Sequence, residues 1–93
     1  MFARVSTIQG KPEKVEEAVR FFEKAVPKGL EDMKGGYFLV NRKTGKIVFI
    51  SLWETEKAMQ ASASTASKIR GQAAETAAAA PPTVEIYEVA IQL

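Results

Sequence analysis

The side chains of this sequence that could bind or activate a small molecule are few. Arg70 is the strongest candidate, because it lies in an alanine-rich, charge-poor segment where a guanidinium could hold an anionic oxygen with several fixed donors. Trp53 contributes an indole N–H, and Tyr37, Asn41 and Tyr87 contribute hydroxyl or amide groups. Groups of these kinds can orient a ligand and stabilise negative charge that develops on its oxygen atoms.

Each of these residues also has a purely structural explanation. Trp53 ends an apolar stretch and could be a packing anchor, while Asn41 precedes a tight turn in which asparagine often bonds the local backbone. The two tyrosines could cover a sheet with their hydroxyls in water, and Arg70 could be solvent-exposed. The sequence leaves both interpretations open for all five residues.

The composition disfavours several classes of site. Among 93 residues there is no histidine and no cysteine, and no glycine-rich phosphate loop lies between a strand and a helix. Zinc sites, Ser-His-Asp triads and histidine-ligated haem therefore lack their usual residues, and we expect no metal, haem or flavin cofactor.

Charge and hydropathy indicate an ordinary water-exposed surface. Thirteen basic and eleven acidic residues are interspersed, which is typical of solvated helix faces rather than of a nucleic-acid-binding surface. No apolar run approaches the length of a membrane span, and the first residues alternate like a strand rather than forming a signal peptide. We expect a cytoplasmic protein with neither a membrane nor a nucleic-acid partner.

Hydrophobic periodicity and turn signals divide the chain into strands and helices. Pro12 suits a first helical turn, and the turn at 43–45 predicts a hairpin. The small side chains of segment 61–80 favour helix but have little to bury, so either a ligand cavity or close helix packing is expected beneath them. The predicted elements are strand 2–9, a helix that begins at Pro12 and is stopped by Pro27 and Gly29, strands 37–42 and 46–54, helices 56–64 and 67–79, and strand 83–93.

The strand predicted at 46–54 has two apolar faces, and both need a cover. The residues of these faces are Ile47, Phe49 and Trp53 on one side and Val48, Ile50 and Leu52 on the other. The element order predicts one domain over residues 1–93, an α+β, ferredoxin-like βαββαβ fold in which both helices cover one face of a four-stranded antiparallel sheet. We infer that a second copy covers the other face, because so small a domain is marginal alone.

Several stretches of the sequence are distinctive in type and order. Gly36 opens the second strand, IVFISLW forms the third, and EIYEV lies in the last. The most specific is the run WETEKAMQAS, at Trp53, Glu54, Thr55, Ala58, Met59, Ala61 and Ser62. Together they resemble the dimeric α/β-barrel proteins related to antibiotic biosynthesis monooxygenases, and the resemblance implies that two monomers pack sheet to sheet as a homodimeric α/β barrel.

Members of this superfamily include cofactor-independent monooxygenases and haem-degrading enzymes. The asparagine, tryptophan and histidine of the haem-degrading pattern are replaced here by Ala3 or Arg4, by Ser62 and by Gln72, so haem degradation is disfavoured. The resemblance to the first branch implies a monooxygenase that acts on a small aromatic or quinone-like compound. The side chains of the right kinds for such a site are Trp53 and Arg70 for catalysis and Tyr37, Asn41 and Tyr87 for substrate binding.

Two other functions fit the same fold. One is a non-catalytic small-molecule binding or stress-associated homodimer, and the other is a pure assembly module. Polar side chains that converge inside the fold would favour the monooxygenase or the binding protein over the assembly module.

Overall fold

A computed structural model describes residues 1–93. The strands form one antiparallel sheet in the order β2-β3-β1-β4, and the helices lie on one face of it. This is the predicted α+β, ferredoxin-like fold, which is thereby confirmed. The elements are β1 (Phe2–Gln9), α1 (Val15–Gly29), β2 (Gly35–Val40), β3 (Lys46–Trp53), α2 (Glu56–Ala61), α3 (Ala63–Thr76) and β4 (Thr83–Glu88), with a 3₁₀ turn at Pro12–Lys14 before α1.

Local sequence explains where the helices begin and end. The Thr55 hydroxyl caps α2 by accepting a hydrogen bond from the Ala58 N–H over 3.0 Å. A break at Ser62 separates α2 from α3, whereas the sequence places the break between residues 64 and 67, and α3 begins four residues earlier than expected. α1 continues through Pro27 to Gly29, since a proline in the last turn removes only one intrahelical hydrogen bond. None of the helices has the length and apolar character required to cross a membrane.

The core lies between the helices and one face of the sheet. An aromatic cluster joins α1 to the hairpin of β2 and β3: the Phe22 ring stacks on Phe38 at 4.2 Å and meets Phe49 edge-on at 5.0 Å. Towards β1, Trp53 and Met59 are fully buried. The helix layer therefore covers the face of β3 that was predicted to carry Phe49 and Trp53.

The opposite face of the sheet, here called the open face, has no cover within the chain. Tyr37 is 64% exposed and Leu39 48% exposed on β2, while Ile50 and Leu52 of β3 are half-buried. Large apolar side chains on an uncovered sheet are typical of a surface that a partner covers. Packing of a second copy on this face remains a prediction.

The last strand is shorter than predicted and ends at Glu88 instead of residue 93. β4 pairs with β1, and that neighbour begins at Phe2, opposite Glu88. One further hydrogen bond follows, from the Val89 N–H to the Met1 carbonyl at 2.8 Å. Beyond it the ladder has no partner strand, so the alternating residues 89–93 cannot continue the sheet.

Candidate functional site

Three buried polar side chains lie on the helix-facing side of the two central strands. Arg4 and Ser6 belong to β1, and Ser51 of β3 is the direct cross-strand partner of Arg4. They are only 4%, 1% and 1% exposed. Because buried polar groups are costly unless they are hydrogen-bonded, this polar patch in an apolar core is the first candidate for a functional site.

Arg4 is held by the end of α2. Its Nη2 donates to the Met59 carbonyl at 2.6 Å and to the Ser62 hydroxyl at 3.2 Å, where the helix break leaves carbonyl groups available. Its guanidinium carbon lies 5.3 Å from the centroid of the Trp53 ring, a cation–π distance. Its other terminal nitrogen, Nη1, is buried without a hydrogen-bond partner. Arg4 is thus fixed on one side and unsatisfied on the other.

The indole N–H of Trp53 is already used within the protein. It donates to the Ser51 hydroxyl at 2.9 Å, two residues away on the same face of β3. Ser6 Oγ, by contrast, is buried and has no partner. The buried polar side-chain atoms that lack a hydrogen-bond partner are therefore Arg4 Nη1 and Ser6 Oγ, and Trp53 contributes chiefly its ring face.

Arg70 brings a second positive charge to this region. It is half-buried on α3, one turn from the buried residues Ala66 and Ala74, and it makes no hydrogen bond or ion pair. Burial lowers the pKa of Arg70, and burial together with the charge of Arg70 lowers the pKa of Arg4. The ion pairs of the protein lie elsewhere, at Lys14–Glu17, Lys34–Glu54 and Arg42–Glu16.

One side of this cluster of Arg4, Ser6, Ser51, Trp53 and Arg70, here called the arginine cluster, borders an uncovered strand. Val84 and Ile86 of β4 are the cross-strand partners of Ser6 and Arg4 and therefore share their helix-facing side. They are nevertheless 40% and 55% exposed, so the helix layer stops short of β4. A ligand could approach the cluster over this apolar strand.

The structure does not bring the other predicted site residues to this cluster. Tyr37 and Tyr87 lie on the open face, on the other side of the sheet from Trp53, and the Tyr87 hydroxyl donates to Glu85 Oε2 at 2.9 Å. That hydrogen bond is the main cause that raises the pKa of Tyr87. Asn41 lies in the hairpin turn, where its Oδ1 accepts from the backbone N–H groups at 43 and 44, as its structural explanation predicts.

Sequence reasoning missed Arg4, Ser6 and Ser51 as site residues. A signal was present in β1, where Phe2, Arg4, Ser6 and Ile8 alternate on one face. Two polar residues between apolar ones on the core side of a strand indicate either an internal network or a site. Here Ser6 Oγ has no hydrogen-bond partner, and one terminal nitrogen of Arg4, Nη1, is also unpaired.

Neither of the two cavities in the structure lies between the alanine-rich helix α3 and the sheet. Ala73 and Ala77 are fully buried, and a Cβ added at Gly29 would come within 2.9 Å of Thr65, so α3 packs closely on its neighbours. The close-packing alternative is thus the one observed. An apolar groove of about 230 Å³ lies between α1 and β2, and a polar one of about 340 Å³ lies between the end of α1 and the start of α3.

Comparison with solved structures finds the same fold in proteins of low sequence identity. A monooxygenase from the gene ActVA-Orf6 of Streptomyces coelicolor, solved with the ligand Nanaomycin D, superposes with a TM-score of 0.80 at 14% identity, covering 99% of this chain and 89% of the other. Rv0793 from Mycobacterium tuberculosis superposes with a TM-score of 0.73 at 10% identity, covering 98% and 96%. At such identities the likeness concerns the fold.

Sequence comparison gives nearer relatives. The uncharacterised protein Rv2557 of Mycobacterium tuberculosis is 33% identical over 93 residues, which is 97% of this chain and 41% of that protein. The chain thus spans less than half the length of this curated relative. The family model described as antibiotic biosynthesis monooxygenase matches residues 1–79, most of the chain. This protein therefore belongs to the antibiotic biosynthesis monooxygenase family.

Proposed function

We propose that this protein is a cofactor-independent monooxygenase that oxidises a small aromatic or quinone-like compound of the anthrone type. Family membership supports the class of reaction. The observation that carries the proposal is the arginine cluster, in which the Arg4 guanidinium lies beside the fully buried Trp53 on the helix side of the sheet, Arg70 is near enough for its charge to act on Arg4, and neither arginine has an acidic partner. Such a site favours the anionic form of a bound ligand.

The reaction requires an ionised substrate. An anthrone loses a proton to water and becomes a carbanion whose charge lies largely on the conjugated oxygen, and positive groups at the site stabilise that oxyanion. The anion transfers its electrons to dioxygen and forms a carbon–oxygen bond, which gives a hydroperoxide once a proton is added. Loss of water then leaves a new carbonyl, so one oxygen atom enters the product and the other leaves as water.

The residues have separate roles in this scheme. Arg70 and the free Nη1 of Arg4 stabilise the substrate oxyanion, and Ser6 supplies a further hydroxyl. Trp53 acts at the site through its ring, which fixes Arg4, rather than through its N–H. Neither Tyr37 nor Tyr87 can reach the same ligand from the open face unless a second subunit presents it.

We also propose that the working form is a homodimer with the open faces packed together. Supporting features are the exposed Tyr37 and Leu39 and the half-buried apolar residues of β3 between them and β1. A 93-residue domain buries only about 60 to 65% of its unfolded surface, which makes an apolar partner surface valuable for stability. Glu85 on this face accepts a hydrogen bond from the Tyr87 hydroxyl, which offsets part of the cost of covering its carboxylate.

One observation favours a second candidate, a non-catalytic small-molecule binding protein. The arginine cluster contains no side chain able to accept a proton at neutral pH, since the chain has no histidine and no carboxylate pairs with either arginine. Such a cluster could simply retain an anionic aromatic ligand.

Oxygen consumption separates the two candidates. With anthrone-type compounds under metal-chelating conditions, the proposed function predicts uptake of one dioxygen per quinone formed, at a rate well above the uncatalysed rate. A rate equal to the uncatalysed one across such a panel, with binding still detectable, would favour the binding protein.

A further inference from the structure

The apolar groove between α1 and β2 combines aromatic walls with a single charged residue. Four of the eight aromatic residues of the chain line it, namely Phe22, Tyr37, Phe38 and Phe49. Glu23 is the only charged residue in its lining, which includes none of the thirteen basic residues. We infer that this groove is a second ligand site, for a small organic cation that joins an aryl or alkyl group to an ammonium.

The backbone of β2 keeps the groove open. Gly36 lies in its wall, and a Cβ added there would come within 2.5 Å of the Ile50 carbonyl oxygen, so no side chain at this position can fill the space. The Met33 sulfur borders the same gap, 3.5 Å from that Cβ position. The groove of about 230 Å³ equals the volume of about eight water molecules, which is enough for one aromatic ring with a short side chain.

The aromatic side chains form a fixed wall. Phe22 stacks on Phe38 with the ring centroids 4.2 Å apart, and Phe49 meets Phe22 edge-on at 5.0 Å. Phe22 and Phe49 are buried, whereas Phe38 is half-buried and belongs to the edge strand β2. Such a wall attracts the apolar part of a ligand and also a positive charge, because the face of an aromatic ring carries partial negative charge.

The charge of Glu23 selects the sign of the ligand. Its side chain is exposed on α1 and takes part in none of the ion pairs of the protein, although Arg20 lies one turn earlier on the helix. A ligand whose apolar group rests on Val26 and Phe38 could place an ammonium beside this carboxylate, whereas an anion would meet a like charge. The groove therefore complements a cation, in contrast to the arginine cluster, with which it shares no residue.

A matched pair of ligands tests the charge preference. Phenethylammonium and 2-phenylethanol share the ring and the two-carbon chain, and differ in the charge of the terminal group. Titrations followed by NMR should show the cation binding about 5- to 30-fold more tightly, as expected when a cation–π contact and an exposed charge pair add to the same apolar contact. Glu23→Gln should reduce this ratio to less than about threefold and leave the affinity for 2-phenylethanol unchanged. Glu75→Gln, which removes an exposed carboxylate of α3, should leave the ratio unchanged.

Methionine methyl signals locate the ligand. Of the three methionines, Met33 lines the groove and Met59 is fully buried elsewhere in the core. In protein labelled with ¹³C at the methionine methyl groups, phenethylammonium should shift the Met33 signal and leave the Met59 signal unchanged. Phe38→Leu should weaken the binding of both ligands, and if it fails to fold by circular dichroism, the exposed Glu23 carries the test.

Three results would each overturn the inference: equal affinities for the two ligands, no binding of phenethylammonium at millimolar concentration, or an unchanged ratio in Glu23→Gln. A Met33 signal that responds to neither ligand but shifts when the protein is diluted would also overturn it, by showing that a second copy covers the groove. None of these results bears on oxygen uptake at the arginine cluster, because the two sites share no residue.

Discussion

The guanidinium carbon of Arg4 lies 5.3 Å from the centroid of the Trp53 ring, although the two residues belong to different strands. This contact joins the tryptophan of the WETEKAMQAS run to a buried arginine whose other neighbours are the end of α2 and the charge of Arg70. Trp53 therefore holds a cation in place with its ring while its N–H is bonded to Ser51. The variants below separate these two contacts.

Replacing Trp53 by Phe keeps a ring beside Arg4 but removes the donor to Ser51, which leaves a buried hydroxyl unpaired and a smaller side chain in the core. We expect the free energy of unfolding to fall by about 1–3 kcal/mol, measured by urea denaturation. Adding Ser51→Ala removes the stranded hydroxyl, so the double variant should be more stable than the sum of the single effects predicts. Strict additivity would contradict the assigned hydrogen bond.

Gly71 lies inside α3, and a Cβ added there would meet nothing within 4 Å. Gly71→Ala should therefore raise the free energy of unfolding by about 0.5–1 kcal/mol, because alanine loses less backbone freedom in a helix. Gly45→Ala is the matched control: Gly45 has φ +81° and a Cβ there would lie 2.3 Å from the Gly10 carbonyl oxygen. The Gly45→Ala variant should be less stable than the wild type. A Gly71→Ala protein that is less stable than the wild type would contradict the described helix packing.

Ile50 and Phe49 are neighbours on β3 but point to opposite faces of the sheet. Phe49→Asp buries a carboxylate in the core and should unfold the chain, since such burial costs several kcal/mol against a marginal stability. Ile50→Asp places the charge on the open face and should yield a folded monomer if a second copy covers that face. Sedimentation and circular dichroism measure both effects, and an Ile50→Asp protein that remains dimeric would contradict sheet-to-sheet packing.

Tyr87 should ionise at higher pH than an ordinary tyrosine, because its hydroxyl donates to Glu85 and the carboxylate opposes a second negative charge. A raised pKa in the folded state means that this contact stabilises the fold below about pH 10, the ordinary value, and that its contribution is lost as the pH rises through the folded pKa. Titration of tyrosinate absorbance in Tyr37→Phe reports Tyr87 alone. Adding Glu85→Gln should lower the pKa, and an unchanged titration would show that the hydrogen bond is absent in solution.

The sequence contained enough to predict the fold but only part of the site. Element order, the two-faced strand at Ile47 to Trp53 and the break near Ser62 are local patterns, so they could be recognised without a structure. The clustering of Arg4 with Arg70 depends on which face of β1 the helices cover and how far α3 extends across the sheet. Neither is visible in residue spacing.

The positions of the predicted substrate-binding residues could not be predicted from residue type either. Tyr37 and Tyr87 have the chemistry expected of a ligand site, but strand alternation places both on the open face, away from Trp53. Asn41 has an appropriate amide that the hairpin turn already uses. Residue type alone could not assign them to one site, because the assignment requires the register of the strands.

The central claim is that the arginine cluster stabilises a substrate oxyanion during oxygenation, and Arg70→Ala tests it most directly. Oxygen uptake with anthrone-type compounds is compared for wild type, Arg70→Ala and the surface control Arg20→Ala, after chelation of metals and with folding verified by circular dichroism. We predict that Arg70→Ala lowers turnover about 10²- to 10³-fold, as expected for loss of one well-placed donor, while Arg20→Ala behaves like wild type. Wild-type turnover that exceeds the uncatalysed rate but is unaffected by Arg70→Ala would contradict the claim.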